Sequence, residues 1–479
     1  MDSPVSEVKR SRGDRVNILN NLKWNGACFG LCLLGSALWS RPAAAEVTLV
    51  EKDGWSFSFD GRVNAFLSVG QGDDFPKPTV NPTLPMSTHD VMGSQGSTGF
   101  GSADVGWLSG KQQDADNKYF AMRVRSGYVG NVLGFGLKRN VTDTTTVKGY
   151  IAIWSTIETL GRDKWYPVIP ELREGYFNIN GPWGSLTAGR TFAWFGRTSA
   201  EIDFLYGHGY GVGLPCTDTL GPACGHTGTG VAFPGYSAGL SYSSPSMSGL
   251  QVHAGVYDPI TFGANWKRAP YLRPEGSITF ETPLGTAGKL KLGVEGLYQP
   301  LARVATDPVT MAQSDVTTSV WGASGGARLE VGPVRLGVSG FRGRGIGLTY
   351  ALQNTSASVD TNTYELRTFS GFYGQGALVF GKVHLTAGGG VAAADQLASD
   401  RVNLALSTIH RQIGVSAAIY YSVSDSVVLG FDYFRFMARW YGAPAAVDDG
   451  AGNPVLGPNI LTPEKQDLNF FNAGVTYHW

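Results

Sequence analysis

The stretch Leu172-Arg-Glu-Gly-Tyr-Phe-Asn-Ile-Asn180, Gly181-Pro-Trp-Gly184, Ser185-Leu-Thr-Ala-Gly-Arg190-Thr-Phe192 decides the fold. It is two strand-like runs joined by four turn residues, a tight hairpin. Almost forty residues follow, 196–234, rich in Gly, Tyr and His with scattered carboxylates and two cysteines. That is too long and irregular for an ordinary connection, and loops of this length usually have a job. Strict alternation then resumes over 236–257, with the turn Pro245-Ser-Met-Ser-Gly249 in the middle.

The same alternation spreads outward along the chain. In 55–68 the apolar Trp55, Phe57, Phe59, Val63, Ala65 and Leu67 take odd positions, and the polar Ser58, Asp60, Arg62 and Asn64 take even ones. Period two means that one face meets an apolar phase and the other meets water. The pattern recurs at 289–295, 334–341, 382–388 and 426–434. Short turns fall at 142–145, 181–184, 245–249, 283–288, 332–333, 381 and 424–425, and eight long segments lie between them. Seven short and eight long connections give sixteen strands. A soluble sandwich has no reason to place every short turn at one end, whereas a bacterial outer-membrane barrel has short turns on one side, long loops on the other and an even strand number. The chain ends with Phe471, Ala473, Val475, Tyr477 and Trp479 on one face, which fits an interfacial aromatic girdle. The expected fold class is therefore all-β, a transmembrane antiparallel β-barrel of about sixteen strands.

Composition agrees with this class. Gly is 66 of 479 residues, and only 16% of residues are charged, which suits glycine-relieved strands rather than disorder or helical membrane spans. No run reaches the eighteen apolar residues of a transmembrane helix. The longest, 27–39, follows Lys9, Arg10, Arg12, Arg15 and Lys23 and precedes Ala43-Ala44-Ala45. Residues 1–45 thus read as a signal peptide that is removed, and 46–479 as the barrel. The mature chain carries 32 Lys or Arg and 35 Asp or Glu, a net charge of −3 after subtracting six and three from 38 and 38. Nucleic acid is not indicated as a partner.

The hairpin at 172–192, the Tyr242-Ser-Ser-Pro-Ser-Met-Ser-Gly249 turn and Arg125-Ser-Gly-Tyr-Val-Gly130 together resemble the general porins of Gram-negative outer membranes. The resemblance runs from about Trp55 to Trp479. It implies a third loop, 196–234, folded into the lumen as a pore constriction. It also implies a homotrimer in outer-membrane lipid and passive diffusion of small hydrophilic solutes and ions. Arg62 follows from the parity of its strand. Arg123 and Arg125 stand two apart on one face, and the resemblance sets Arg125 at the constriction. Arg173 joins them by resemblance, although simple alternation turns it toward lipid beside Phe177 and Ile179; a bulge at Gly175 would reconcile the two. The family's Pro-Glu-Phe-Gly-Gly motif is absent, and Glu201 and Asp203 are the nearest carboxylates to face these arginines.

Arg190 shares parity with Leu186 and Ala188 and points outward, where lipid disfavours it by a few kcal/mol at mid-depth. By resemblance it marks the subunit interface, with Glu158, Asp163 and Glu171 as local acidic partners. Cys216 and Cys224 lie eight apart in one loop of an exported chain, so a disulfide is the expected state. His208 and His226 lie nearby, but the spacing matches no zinc template. No His-Glu-x-x-His or phosphate loop occurs, and no catalytic residue, metal or cofactor is expected. The alternatives are a substrate-specific porin for sugar, carboxylate or phosphate, with Trp194, Phe195, Phe204, Tyr206 and Tyr210 as an aromatic slide, and a barrel-based enzyme or adhesin.

Overall fold

The computed structural model describes residues 47–73, 88–89, 118–155, 157, 170–206, 211–215, 223–260, 271–306, 313–347, 365–398, 406–407, 409–441, 444–448, 454–461 and 464–479. The segment 1–45 expected as a signal peptide lies outside them. So do Cys216, His208, Tyr210, Glu158 and Asp163.

One antiparallel sheet closes on itself as a sixteen-stranded barrel. Its strands are β1 (Trp55–Asp73), β2 in two pieces (Lys118–Arg125 and Asn131–Asn140), β3 (Thr146–Ser155), β4 (Glu171–Gly181), β5 (Gly184–Phe192), β6 (Tyr236–Ser243), β7 (Leu250–Tyr257) and β8 (Arg273–Pro283). They continue as β9 (Gly288–Thr306), β10 (Gln313–Val331), β11 (Val334–Arg344), β12 (Thr368–Phe380), β13 (Val383–Ala394), β14 (Ile409–Ser422), β15 (Val427–Trp440) and β16 (Glu464–His478). Each pairs with its sequence neighbour, and β16 closes the ring on β1 from Arg62↔His478 to Gly72↔Leu468. Closure leaves no long open edge, which a strand in hydrocarbon cannot tolerate. All seven short turns lie where alternation breaks, at one end of the barrel. Among the described residues no helix is long and apolar enough to cross a membrane.

Alternation sets the faces. On β1, Val63 and Leu67 are exposed on the outer surface, whereas Arg62, Asn64 and Ser68 are buried inside. At the end of the chain Trp479 exchanges backbone hydrogen bonds with Gly61 and packs against Phe59 and Tyr477, with ring centroids 5.4 and 5.5 Å away. A strand that alternation did not announce, Val47–Lys52, turns at Asp53-Gly54, where φ is +52° and +76°, and pairs with Trp55–Phe59. This two-residue turn matches the twist of a hairpin. The strand occupies the edge of β1 that β16 leaves unpaired beyond Trp479.

The interior departs from a purely polar lining. Phe66, Tyr119, Trp154, Tyr373, Tyr420, Phe434, Phe436 and Phe470 point inward and are at most 7% exposed. They form one cluster with Phe195, Leu205, Tyr206, Val212, Leu214, Val231 and Phe233 of the segment between β5 and β6. The reason is packing: a backbone laid against the wall buries the inner face of the strands that it crosses.

Candidate functional site

The segment after β5 leaves the wall at Ala193 and is tied to inward-facing side chains strand after strand. The amide of Phe195 donates to Glu275 of β8 at 2.8 Å, and that of Gly196 to Glu295 of β9 at 2.7 Å. Thr198 donates to the other Glu295 oxygen, and Ser324 Oγ of β10 donates to the first at 2.7 Å. Gly196 has φ +86°, and a Cβ there would meet the Ala232 carbonyl at 2.9 Å, so glycine is needed where the chain turns into the short helix α1 (Arg197–Glu201). Farther on, Gln375 of β12 accepts from the Phe204 amide at 2.9 Å and donates to the Ile202 carbonyl at 2.8 Å. Tyr420 of β14 donates to the Leu205 carbonyl at 3.0 Å. Asp432 of β15 takes the amides of Val212 and Gly213 at 3.0 and 2.9 Å, while Asn472 of β16 donates to Asp432 at 2.8 Å and to the Gly213 carbonyl at 3.2 Å.

Strand β2 contributes through its break. Between its two pieces the chain bulges at 126–130, where Asn64 accepts from the Gly127 amide at 2.7 Å and donates to the Val129 carbonyl at 2.8 Å. The bulge aims the Tyr128 amide at the Gly211 carbonyl, 2.8 Å away, and sets the Tyr128 hydroxyl to accept from Thr227 Oγ1 at 3.1 Å. Such interruptions re-aim backbone and side chains at functional sites.

Two charged groupings flank this segment. On one side Arg62 of β1 and Arg173 of β4 lie over the indole of Trp154, 5.6 and 5.1 Å from its centroid. The Tyr150 hydroxyl donates to Asp60 at 2.9 Å on the same wall. Arg173 reaches inward because the register shifts at Arg173 itself: Ile153 pairs with Leu172 and Ala152 with Glu174. The expected bulge is present, two residues before Gly175. Arg173 also meets Glu171 at 2.8 Å. Arg123 and Arg125 share the inner face of β2 as their spacing implies; Arg125 is buried, and Arg123 is half-buried, donating to the Met122 carbonyl.

On the other side Glu201 is held by Arg197 at 3.2 Å and by Lys291 of β9, and the Glu201 carbonyl accepts from Arg328 of β10 at 3.1 Å. Burial raises the Glu201 carboxyl pKa, but Lys291 and Arg197 outweigh it and hold the group below the usual carboxylate range. Arg328 stacks over Phe204 at 4.6 Å and pairs with Glu330 at 2.7 Å, which Arg335 approaches at 3.5 Å. Asp203 has a different partner. It accepts the Leu205 amide at 2.8 Å and meets His226 at 3.3 Å, both side chains being at most 3% exposed. Burial lowers the His226 pKa, with Asp203 opposing it. Glu201 and Asp203 were expected to face Arg62, Arg123, Arg125 and Arg173; Glu201 meets Lys291 and Arg197, and Asp203 meets His226.

Arg197, Lys291 and Arg328 were not singled out from the sequence. Two of them left a signal: Arg197 and Glu201 stand four apart, and Lys289, Lys291 and Glu295 share one parity. Trp194, Phe195, Phe204 and Tyr206 are at most 7% exposed and pack the segment; Trp194 stacks on His253 at 4.1 Å. Arg190 faces outward and is half exposed, and Glu171 of the same chain meets it at 3.4 Å. Cys224 is buried and disulfide-bonded. Among the described residues no cluster of three or more His, Cys, Asp or Glu could hold a metal ion.

No protein-family model matches the sequence, and no curated protein does. Solved structures do match in fold. The outer membrane channel DcaP of Acinetobacter baumannii superposes with a TM-score of 0.57 at 14% identity, covering 90% of this chain and 100% of that one. The anion-selective porin from Comamonas acidovorans gives 0.52 at 11% identity, covering 89% and 100%. At these identities the likeness is one of fold: a closed outer-membrane-type barrel.

Proposed function

We propose that the chain is an outer-membrane porin, a water-filled channel for passive diffusion of small hydrophilic solutes and ions. The observation that carries this reading is the route of 196–234. Its backbone is hydrogen-bonded to Glu295, Gln375 and Asp432, each several residues into its strand from the short-turn end. A segment held at that depth narrows the passage rather than lying across the mouth as a lid. Size then excludes large solutes, and the charged groups beside the segment act at short range, where a confined aqueous passage screens them weakly. No catalytic step, cofactor or energy source enters.

In this reading the passage runs beside the segment. Arg62, Arg123, Arg125 and Arg173 stand on one wall, and Glu201, with Lys291, Arg197 and Arg328, stands on the other. Asp203 acts as a lock within the segment. Arg190 serves a subunit interface in a homotrimer, residues 1–45 direct export to the Gram-negative outer membrane, and Cys216 pairs with Cys224. Trp194, Phe195, Phe204 and Tyr206 are packed away from solvent, which favours the general over the sugar-specific porin. The test is planar-bilayer recording with purified protein, scored for stepwise conductance, together with hydrolase assays on peptide and ester substrates. Insertion without conductance, or hydrolysis without conductance, overturns the proposal.

A further inference from the structure

The outer surface of the barrel carries a feature that diffusion through the lumen does not use. On the outward face of β14, β15 and β16, Arg411 is directly opposite Arg439, and Arg439 is directly opposite Lys465. Arg435 stands four residues below Arg439 on the same face. Three cations in cross-strand register oppose strand pairing, because like charges directly opposite are destabilising. Among the described residues one carboxylate answers them: Asp467 meets Arg439 and lies 3.8 Å from Arg435. Among the described residues the next carboxylates are Asp395, 3.8 Å from Arg342, and Asp73, which accepts the Asp467 amide at 3.1 Å and stands in register with Lys118. Counted over the described residues, four cations against Asp467 leave an excess of three positive charges on a surface that faces the membrane.

Depth says what meets that charge. From the short-turn end, β15 shows Val427, Leu429, Phe431 and Tyr433 outward, and Tyr433 packs on Phe471 of β16 with centroids 5.1 Å apart. Asp467 lies ten residues from Tyr477, and Arg411 ten from Tyr421, in the lower aromatic ring. At ~3.3 Å per residue and a tilt of about 40°, ten residues rise roughly 25 Å, the height of the apolar band of such barrels. The cations therefore stand at the upper edge of the band, on the long-loop side, where lipid headgroups begin. Arg435, slightly lower, reaches this level by extending its stem along the apolar surface.

We infer that this row binds the phosphate groups of an anionic lipid headgroup in the leaflet on the long-loop side. Guanidinium groups take phosphate oxygens in bidentate pairs, and phosphates between the strands turn a repulsive row into an attractive one. The inference rests on the membrane-barrel reading and is independent of what crosses the lumen.

The test compares wild-type protein with the triple variant Arg411→Gln, Arg435→Gln, Lys465→Gln, which keeps the Arg439–Asp467 pair. Both are refolded in neutral detergent, and heat-modifiable mobility and channel conductance are checked first; both should be unchanged, so failure of the barrel or of the channel reading is seen separately. Binding of bis-phosphorylated lipid A and of its dephosphorylated form is then measured in mixed micelles. With about a fivefold contribution per basic residue near a headgroup at low salt, the variant should bind the phosphorylated lipid on the order of a hundredfold more weakly. Wild type should show the same preference for phosphorylated over dephosphorylated lipid. Equal binding of the two lipids, or of the two proteins, overturns the inference. A change in oligomeric state without any phosphate dependence overturns it too and makes the row a protein contact.

Discussion

Replacing Glu295 with Ala should release the first turn of the segment from the wall. Glu295 accepts from the Gly196 amide, the Thr198 amide and Ser324 Oγ, and it is 7% exposed. Each buried donor left without an acceptor costs about 1–3 kcal/mol. Water entering the vacated space recovers part of that, so the docked turn should lose at least ~3 kcal/mol, a factor of roughly 150 in its detached population. The barrel itself should hold, because β9 keeps all its backbone pairing with β8 and β10. A reporter follows from Ser199, which lies in α1 of the segment and is 3% exposed. In a Ser199→Cys background, the rate of labelling by a small charged thiol reagent measures the detached population. Glu295→Ala should raise that rate about a hundredfold while heat-modifiable mobility stays that of the folded barrel. A rate within twofold of the parent would refute the reasoning, since Glu295 would then not hold the segment in place.

Charge removal should separate wall from lock. Arg62→Gln with Arg173→Gln should shift the zero-current potential in a salt gradient toward cation preference by several millivolts. Glu201→Gln, which uncovers Lys291 and Arg197, should shift it toward anions, whereas Asp203→Asn should leave selectivity unchanged and speed Ser199→Cys labelling; the opposite assignment of effects would count against the two roles. For the trimer, an unboiled gel band near three times the mature mass should weaken more in Arg190→Leu than in Arg335→Leu, and equal sensitivity would remove Arg190 from the interface. Thiol labelling of denatured, unreduced mature protein should find neither Cys216 nor Cys224 free; two reactive thiols would sink the disulfide.

The strand framework is legible because each of the seven short turns places Gly, Pro or Asp at the end of an alternating run, and period two survives wherever one face meets lipid. It fails where both faces are covered. On β15, Val428, Phe434 and Phe436 point inward while Leu429, Phe431 and Tyr433 point outward, so apolar residues stand on both faces and only Gly430, Asp432 and Arg435 break the run. Arg173 shows the second limit. Alternation sends it to lipid, and a one-residue shift invisible to pattern reading turns it toward Trp154. The partners of Glu201 show the third. Nothing in the spacing of residues 201 and 291 says that a loop carboxylate meets a lysine ninety positions later; that pairing depends on where Glu275 and Glu295 seat the backbone.

The most direct test of a segment-narrowed diffusion pore is the single-channel conductance of wild-type protein beside that of a variant lacking residues 207–225, in the same planar bilayers and salt. Wild type should give discrete steps that scale with salt concentration, and the deletion should give larger steps from an equally stable barrel. Absence of steps in wild type, or steps of equal size in the two proteins, would contradict it.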